Sequence, residues 1–214
     1  MVVRLVAVLL GALMLSVGVG VVEDRDDNSI LYTLYSDGRI ENHKVVRDTT
    51  VFVGDSRVVG METASDLVGK GAISYLGKVG AGYSWLSSEC INTIQDYENV
   101  NIVLCFGVND LGNIENYVTL YRTLMDTNQN VDWWVLSVNP VDEGKGSQYG
   151  YSVRNFSIEG FNARLQEEFS DIYIDSYSYL LDSGYATVDG VHYTPETYRN
   201  IENFVIGKLQ GKGF

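Results

Sequence analysis

The sequence predicts an α/β protein built on a parallel five-stranded sheet with helices on both faces. Three features predict it. Short segments that are apolar at nearly every position alternate with longer segments whose apolar residues recur at helical spacing. Strands of that kind have no polar face to turn to water, so they belong in a sheet covered on both sides. The composition agrees: 45% of the 214 residues are apolar and only 2 are Pro, which suits a packed core and excludes a disordered or collagen-like chain.

In chain order, residues 29–46 predict a short hairpin with its turn at Asp37-Gly38. The first core strand is 49–54 (TTVFVG), followed by a helix over 57–68. A second strand at 72–79 precedes helical spacing at 84–97. The third strand, 101–106, precedes a helix at 114–127, and the fourth is 131–138. Trp133 and Trp134, adjacent in that strand, point to opposite faces and are both expected under helices. The stretch 139–155 has no periodicity and is expected to be a loop, of a length that often serves as a functional rim or lid. A helix at 158–169 and a short fifth strand at 171–175 come next. The last helix is 195–209, with Thr194 as its N-cap and Pro195 in the first turn, where a missing N–H costs nothing.

Residues 5–22 carry no charge; Arg4 precedes them and the acidic stretch Glu23–Asp27 follows. That asymmetry predicts export, with the N-terminus left in the cytoplasm. A cleaved signal peptide and an uncleaved membrane anchor both remain open; the length of the run favours the anchor, and Gly18 and Gly20 offer only a weak cleavage site. A buried helix of a cytosolic protein is the third reading. Residues 1–28 are therefore set apart as export segment and linker, and 29–214 as the folded domain, expected outside the cell or at its surface.

Lys and Arg total 15 against 28 Asp and Glu, a formal charge of -13. Such a surface excludes non-specific nucleic-acid binding and docking on anionic lipid through a basic patch. The 2 Cys and 2 His leave no material for a cysteine zinc cluster or a multi-histidine metal site. Cys90 and Cys105 are expected as buried thiols, with a disulfide as the alternative in an export compartment. His43, beside Lys44 in a polar segment, is read as a surface residue.

Four short motifs carry chemistry. The first strand ends in Gly54-Asp55-Ser56-Arg57, which places a serine at a helix N-terminus, where unpaired N–H donors favour a developing negative charge. The second runs into Gly80-Ala81-Gly82-Tyr83, where glycine lets a ligand approach the backbone. The third ends in Gly107-Val108-Asn109-Asp110, an amide at a strand end. Near the C-terminus stands Asp189-Gly190-Val191-His192, in which the carboxylate can hold the imidazole Nδ1 and leave Nε2 as a base. Each motif alone is ordinary turn or cap chemistry. Together, in this order at the ends of the first three strands and in the last loop, they resemble the blocks of the SGNH (GDSL-like) hydrolases over about residues 49–210.

The resemblance implies a flavodoxin-like three-layer α/β/α fold and ester hydrolysis without a cofactor or a metal. It implies Ser56 as nucleophile, His192 as general base and Asp189 as its orienting partner. The oxyanion donors it implies are the Ser56 N–H, the Gly82 N–H and the Asn109 side chain. Gly82 is preferred to Gly80 because family members commonly carry this glycine just before a polar or aromatic residue and a helix. Arg57 departs from the small or apolar residue common after the serine; it is expected to pair with Asp55 or Asp110, or else to bind an acidic group of the substrate.

The expected function is an exported serine esterase acting on a small-molecule or glycan ester, with O-acetyl groups on a glycan foremost. A lipase or thioesterase and a non-catalytic glycan-binding module are the alternatives. Tyr83, Tyr149 and Tyr151 are candidates to line a sugar cleft, against ordinary packing or surface roles. Oligomeric state is left open.

Overall fold

The computed structural model describes residues 18–22, 30–34, 40–44, 49–68 and 73–211. The chain divides into two compact units, Met1–Val46 with Gly207–Phe214, and Arg47–Ile206. The first holds an antiparallel sheet of β1 (Gly18–Val22), β2 (Ile30–Leu34) and β3 (Ile40–Lys44), in that spatial order. Leu34 lies opposite Ile40, the register of a hairpin; the expected turn at Asp37-Gly38 falls outside the described residues. The end of the uncharged N-terminal run, Gly18–Val22, is strand, in keeping with two glycines among β-branched valines. Residues 5–17 of that run lie outside the described residues. His43 pairs with Leu31 in β3. Among the described residues no helix is long and apolar enough to cross a membrane.

The second unit contains the expected five-stranded sheet, with all strands parallel. In chain order its elements are β4 (Thr50–Gly54), α1 (Ser56–Ala64), β5 (Ile73–Gly77), α2 (Tyr83–Trp85), a π-turn (Leu86–Cys90), α3 (Ile91–Gln95), β6 (Asn101–Cys105), a 3₁₀ turn (Leu111–Asn113) and α4 (Ile114–Thr127). There follow β7 (Asp132–Leu136), α5 (Glu143–Gln148), α6 (Asn155–Phe169), β8 (Tyr173–Ile174), α7 (Ser176–Ser183) and α8 (Pro195–Gly211). The spatial order is β5-β4-β6-β7-β8.

Alternate residues of the strands feed two cores. Val51, Val53, Ile102, Leu104, Trp133 and Val135 pack with the helical residues Leu86, Ile94, Tyr117, Tyr121, Phe161 and Leu165. On the opposite face Phe52 and Val103 are fully buried, and there α8 packs on α1: Tyr198 lies against Gly60, Arg199 donates to the Ala64 carbonyl and Ser65 to Glu202. Helices on both faces make three layers.

Several expectations shift. The helix expected over 57–68 ends at Ala64, because the Ser65 Oγ accepts the Leu67 N–H at 3.0 Å and turns the chain out of the helix. Trp133 is buried as expected, but Trp134 is only half-buried and donates its indole N–H to Asn101. The 139–155 stretch is not wholly loop: Asp142 accepts from the Lys145 N–H and starts α5, whose two glycines hide it from any periodicity. Helix α7 was also absent from the sequence reading; Asp175 caps it by accepting from the Ser178 N–H.

The segment after β7 is held by α6. Asn162 accepts from the Val138 N–H at 2.8 Å and donates to the Val138 carbonyl at 2.9 Å. Asn155, two turns earlier on the same helix face, does the same for Val141, both bonds at 2.8 Å. These amides replace the ladder partners that the strand lacks beyond its end. Asn162→Leu leaves the buried N–H and C=O of Val138 unpaired, at about 1–3 kcal/mol each. We therefore expect a loss on the order of 3 kcal/mol in urea unfolding; an unchanged midpoint refutes this account of the segment.

Candidate active site

The parallel register sets where the motifs meet. Gly54 of β4 is level with Gly77 of β5 on one side and with Cys105 of β6 on the other. The segments that follow, Asp55-Ser56, 78–82 and 106–110, therefore leave the same edge of the sheet at the same height. Strand β4 lies between β5 and β6, so the chain departs to opposite sides of it, and a crevice opens at its carboxyl end.

Ser56 is the first residue of α1. Asp55 caps the helix, its carboxylate accepting the Arg57 N–H at 2.9 Å. The Ser56 N–H donates to no protein acceptor among the described residues, as befits the open first turn of a helix. Burial pushes the Asp55 carboxyl up to about 6, against the nearby Arg57 charge and the Arg57 N–H bond.

His192 reaches Ser56 from the loop before α8. Its Nε2 lies 2.8 Å from the Ser56 Oγ, and its Nδ1 lies 2.7 Å from the Asp189 Oδ2. The Asp189 Oδ1 accepts the N–H groups of Val191 at 2.9 Å and His192 at 2.8 Å. One oxygen thus folds the loop and the other orients the ring, which is the physical reason for the spacing of Asp and His. Gly190 between them has φ +95°, and a Cβ there would lie 2.2 Å from the Gly146 N of α5. Burial tends to raise the Asp189 pKa, but the His192 N–H, the His192 ring and the Val191 N–H outweigh it and hold the carboxyl at about 2. An ionised Asp189 keeps the proton on Nδ1 and leaves Nε2 as the acceptor toward Ser56.

The second and third motifs are stitched together. The Asn109 Nδ2 donates to the Ala81 carbonyl at 2.7 Å, which commits one amide N–H and leaves the second. Asp110 accepts from the Tyr83 N–H at 2.8 Å, from the Asn113 amide at 3.0 Å and from the Tyr117 hydroxyl at 2.8 Å. A Cβ on Gly82 would sit 2.6 Å from the Asp110 Oδ2, so the close approach of the two turns needs glycine there. Gly80, by contrast, has open space around its Cα.

Arg57 does not make the expected ion pair. Its side chain is buried and forms no ion pair with Asp55 or Asp110; the guanidinium donates instead to the carbonyls of Val191 and Asn139. Asp110 is engaged by the Tyr83 N–H, the Asn113 amide and the Tyr117 hydroxyl, and the Asp55 carboxylate faces the helix backbone.

Tyr151 stands beside the triad of side chains, with its hydroxyl 3.2 Å from the Asp189 Oδ2 and its ring centroid 6.2 Å from that of His192. Tyr149 is well exposed in the same segment, and Tyr83 packs edge-on against Tyr117. The sequence offers Tyr151 as a candidate to line a sugar cleft; its contact with Asp189 has no local signal, because α5 and its tight approach to Gly190 bring the ring there. Cys90 and Cys105 are free thiols; burial raises the Cys90 thiol to about 12, which removes it from chemistry. Among the described residues no group of three His, Cys, Asp or Glu side chains is placed to hold a metal ion.

No protein-family model matches the chain, and the curated proteins give no match. Solved structures do. A Streptococcus pneumoniae protein provisionally named as a platelet activating factor superposes with TM-score 0.65 at 23% identity, over 77% of this chain and 85% of that one. A GDSL-like lipase of Bacteroides thetaiotaomicron gives TM-score 0.61 at 18% identity, over 77% of this chain and 89% of that one. The acetylxylan esterase Axe2 of Geobacillus stearothermophilus gives TM-score 0.55 at 13% identity, over 76% and 94%. The chain shares the α/β fold of these solved structures.

Because the Asp189 pKa is depressed in the folded chain, its stabilising contribution is complete above the unfolded value near 3.8 and fades as pH falls toward about 2. Urea unfolding of wild type and Asp189→Asn should differ by on the order of 2 kcal/mol at pH 7. The gap should shrink between pH 4 and 2; a gap constant over that range contradicts the carboxylate clamp.

Proposed function

We propose that this protein is a serine ester hydrolase of the SGNH (GDSL-like) type. The observation that carries the reading is the continuous relay from Asp189 through His192 to Ser56, with contacts of 2.7 and 2.8 Å, at the carboxyl edge of the sheet. A serine, an imidazole and a buried-side carboxylate in that order form an activated nucleophile.

His192 Nε2 takes the Ser56 proton as the Oγ attacks an ester carbonyl. The tetrahedral oxyanion is met by the Ser56 N–H at the helix start, the Gly82 N–H and the free N–H of Asn109. His192 then gives its proton to the leaving alcohol, and water repeats the sequence on the acyl-enzyme. Asp189 holds the imidazole in the required tautomer and stabilises its cation. Positioned base catalysis contributes ~10²–10⁴-fold, and each oxyanion donor roughly 10²–10³-fold.

The ester we favour is an O-acyl group, acetyl foremost, on a glycan. The exposed Tyr149 and Tyr151, the latter against His192, offer aromatic faces for sugar stacking. The similarity in fold to an acetylxylan esterase points the same way. The uncharged run at 5–22, flanked by Arg4 and acids, supports a place at the cell surface, where such glycans lie.

A fluorophosphonate probe should add once to the full chain, and the adduct should vanish in Ser56→Ala and in His192→Ala. Ser56→Ala should lower kcat/KM on an aryl acetate by at least about 10³-fold. An adduct that survives Ser56→Ala overturns the assignment. Asn109→Ala should lower kcat by about 10²–10³ with the fold retained, as read by circular dichroism. Acetylated xylo-oligosaccharides should be cleaved in preference to long-chain acyl esters; the reverse preference makes the protein a lipase.

A further inference from the structure

We propose that Arg57 is a positioning residue, whose buried guanidinium holds His192 in line with Ser56 by gripping the chain on both sides of the histidine. The proposal rests on the hydrolase reading above and adds a role to a residue outside the relay.

Arg57 follows Ser56 in the first turn of α1 and is 7% exposed. Its Nε donates to the Val191 carbonyl at 3.1 Å. Its guanidinium carbon sits 5.1 Å from the centroid of the Tyr193 ring. Val191 and Tyr193 are the two neighbours of His192. The Nη1 donates at 2.9 Å to the carbonyl of Asn139, in the segment that leaves β7. That segment is itself anchored, since the Asn139 side chain accepts from the Ser176 hydroxyl at 2.6 Å. One side chain therefore ties together the nucleophile helix, the histidine loop and the exit of the fourth sheet strand.

The chemistry of the group fits this task. A buried cation with no carboxylate in ion-pair contact, only Asp55 nearby, is costly, and an apolar side chain would fill the space more cheaply. What guanidinium adds is direction: its donors lie in one rigid plane, so two carbonyls from different segments are held at a fixed mutual angle while the face meets a ring. Lysine carries the same charge but has no such fork. Substrate binding is a poor alternative, because Nε and Nη1 are committed to backbone carbonyls. The remaining Nη2 is buried without a hydrogen-bond partner, and the pocket of about 30 Å³ that Arg57 and Tyr198 both line is too small for a substrate carboxylate.

The consequence is kinetic. A misplacement near 1 Å between reacting groups costs on the order of 10²-fold in rate. In Arg57→Lys and Arg57→Met, the kcat for an aryl acetate should fall about 10–100-fold with KM within about twofold. Fluorophosphonate labelling of Ser56 should slow by the same factor, and Lys should do no better than Met. Wild-type labelling and kcat in folded Arg57→Lys overturn the proposal while leaving the hydrolase reading intact. A loss confined to KM also overturns it, in favour of substrate contact. If both variants fail to fold, Tyr193→Leu carries the test: removing the ring should lower kcat about 3–10-fold at constant KM, and an unchanged kcat refutes the grip. Absence of any Ser56 adduct in the wild type refutes both readings together.

Discussion

The parallel register around β4 is the constraint on which the site depends. Backbone hydrogen bonds on both sides of that strand put Gly54, Gly77 and Cys105 at one level. Three turns must then leave the sheet at one edge, whatever their sequences. The apolar strands secure this register, because sliding β4 by one residue would turn Val51 and Val53 out of one core and Phe52 out of the other. Packing energy spread through the sheet thus serves geometry at its edge.

The edge itself is organised by polar groups that each serve more than one partner. Asp189 folds its own loop with one oxygen and orients His192 with the other. Asp110 gathers the Tyr83 N–H, the Asn113 amide and the Tyr117 hydroxyl, and so draws the second motif onto the third. Asn155 and Asn162 stand in for missing strand neighbours beyond β7. In a partly buried setting each of these bonds is expensive to lose, because its partner would be left without water.

Much of this was legible in the chain. The five strands, the helix at Ile114–Thr127 and the last helix follow from apolar runs and periodicity, which are local signals. Three of the motifs were legible because each sits where a strand ends, and the fourth, in the loop before the last helix, through its place after them in the chain. Helix α5 was not legible: EGKGSQ has no apolar stripe, and its existence depends on the Asp142 cap and on the tight approach of Gly190 to Gly146. Tyr151 comes to Asp189 only through that approach. Arg57 shows the limit most clearly, since charge pairing was the natural expectation and its partners are two backbone carbonyls and a ring.

The sequence by itself determined the fold class and the segments that meet at the sheet edge, and its three-residue spacing, read with the resemblance to the SGNH hydrolases, offered the pairing of Asp189 with His192. Those depend on hydrophobic period, strand ends and a three-residue spacing, all of which are written locally. Tertiary structure alone decided that Nε2 of His192 lies 2.8 Å from the Ser56 Oγ, that Gly82 rather than Gly80 packs against the Asn109-Asp110 turn, and that Arg57 faces inward. Each of these joins segments far apart in the chain, through a side-chain hydrogen bond, van der Waals contact or backbone carbonyls. Every residue type offers a carbonyl, so no side-chain pattern announces which one a buried donor will choose.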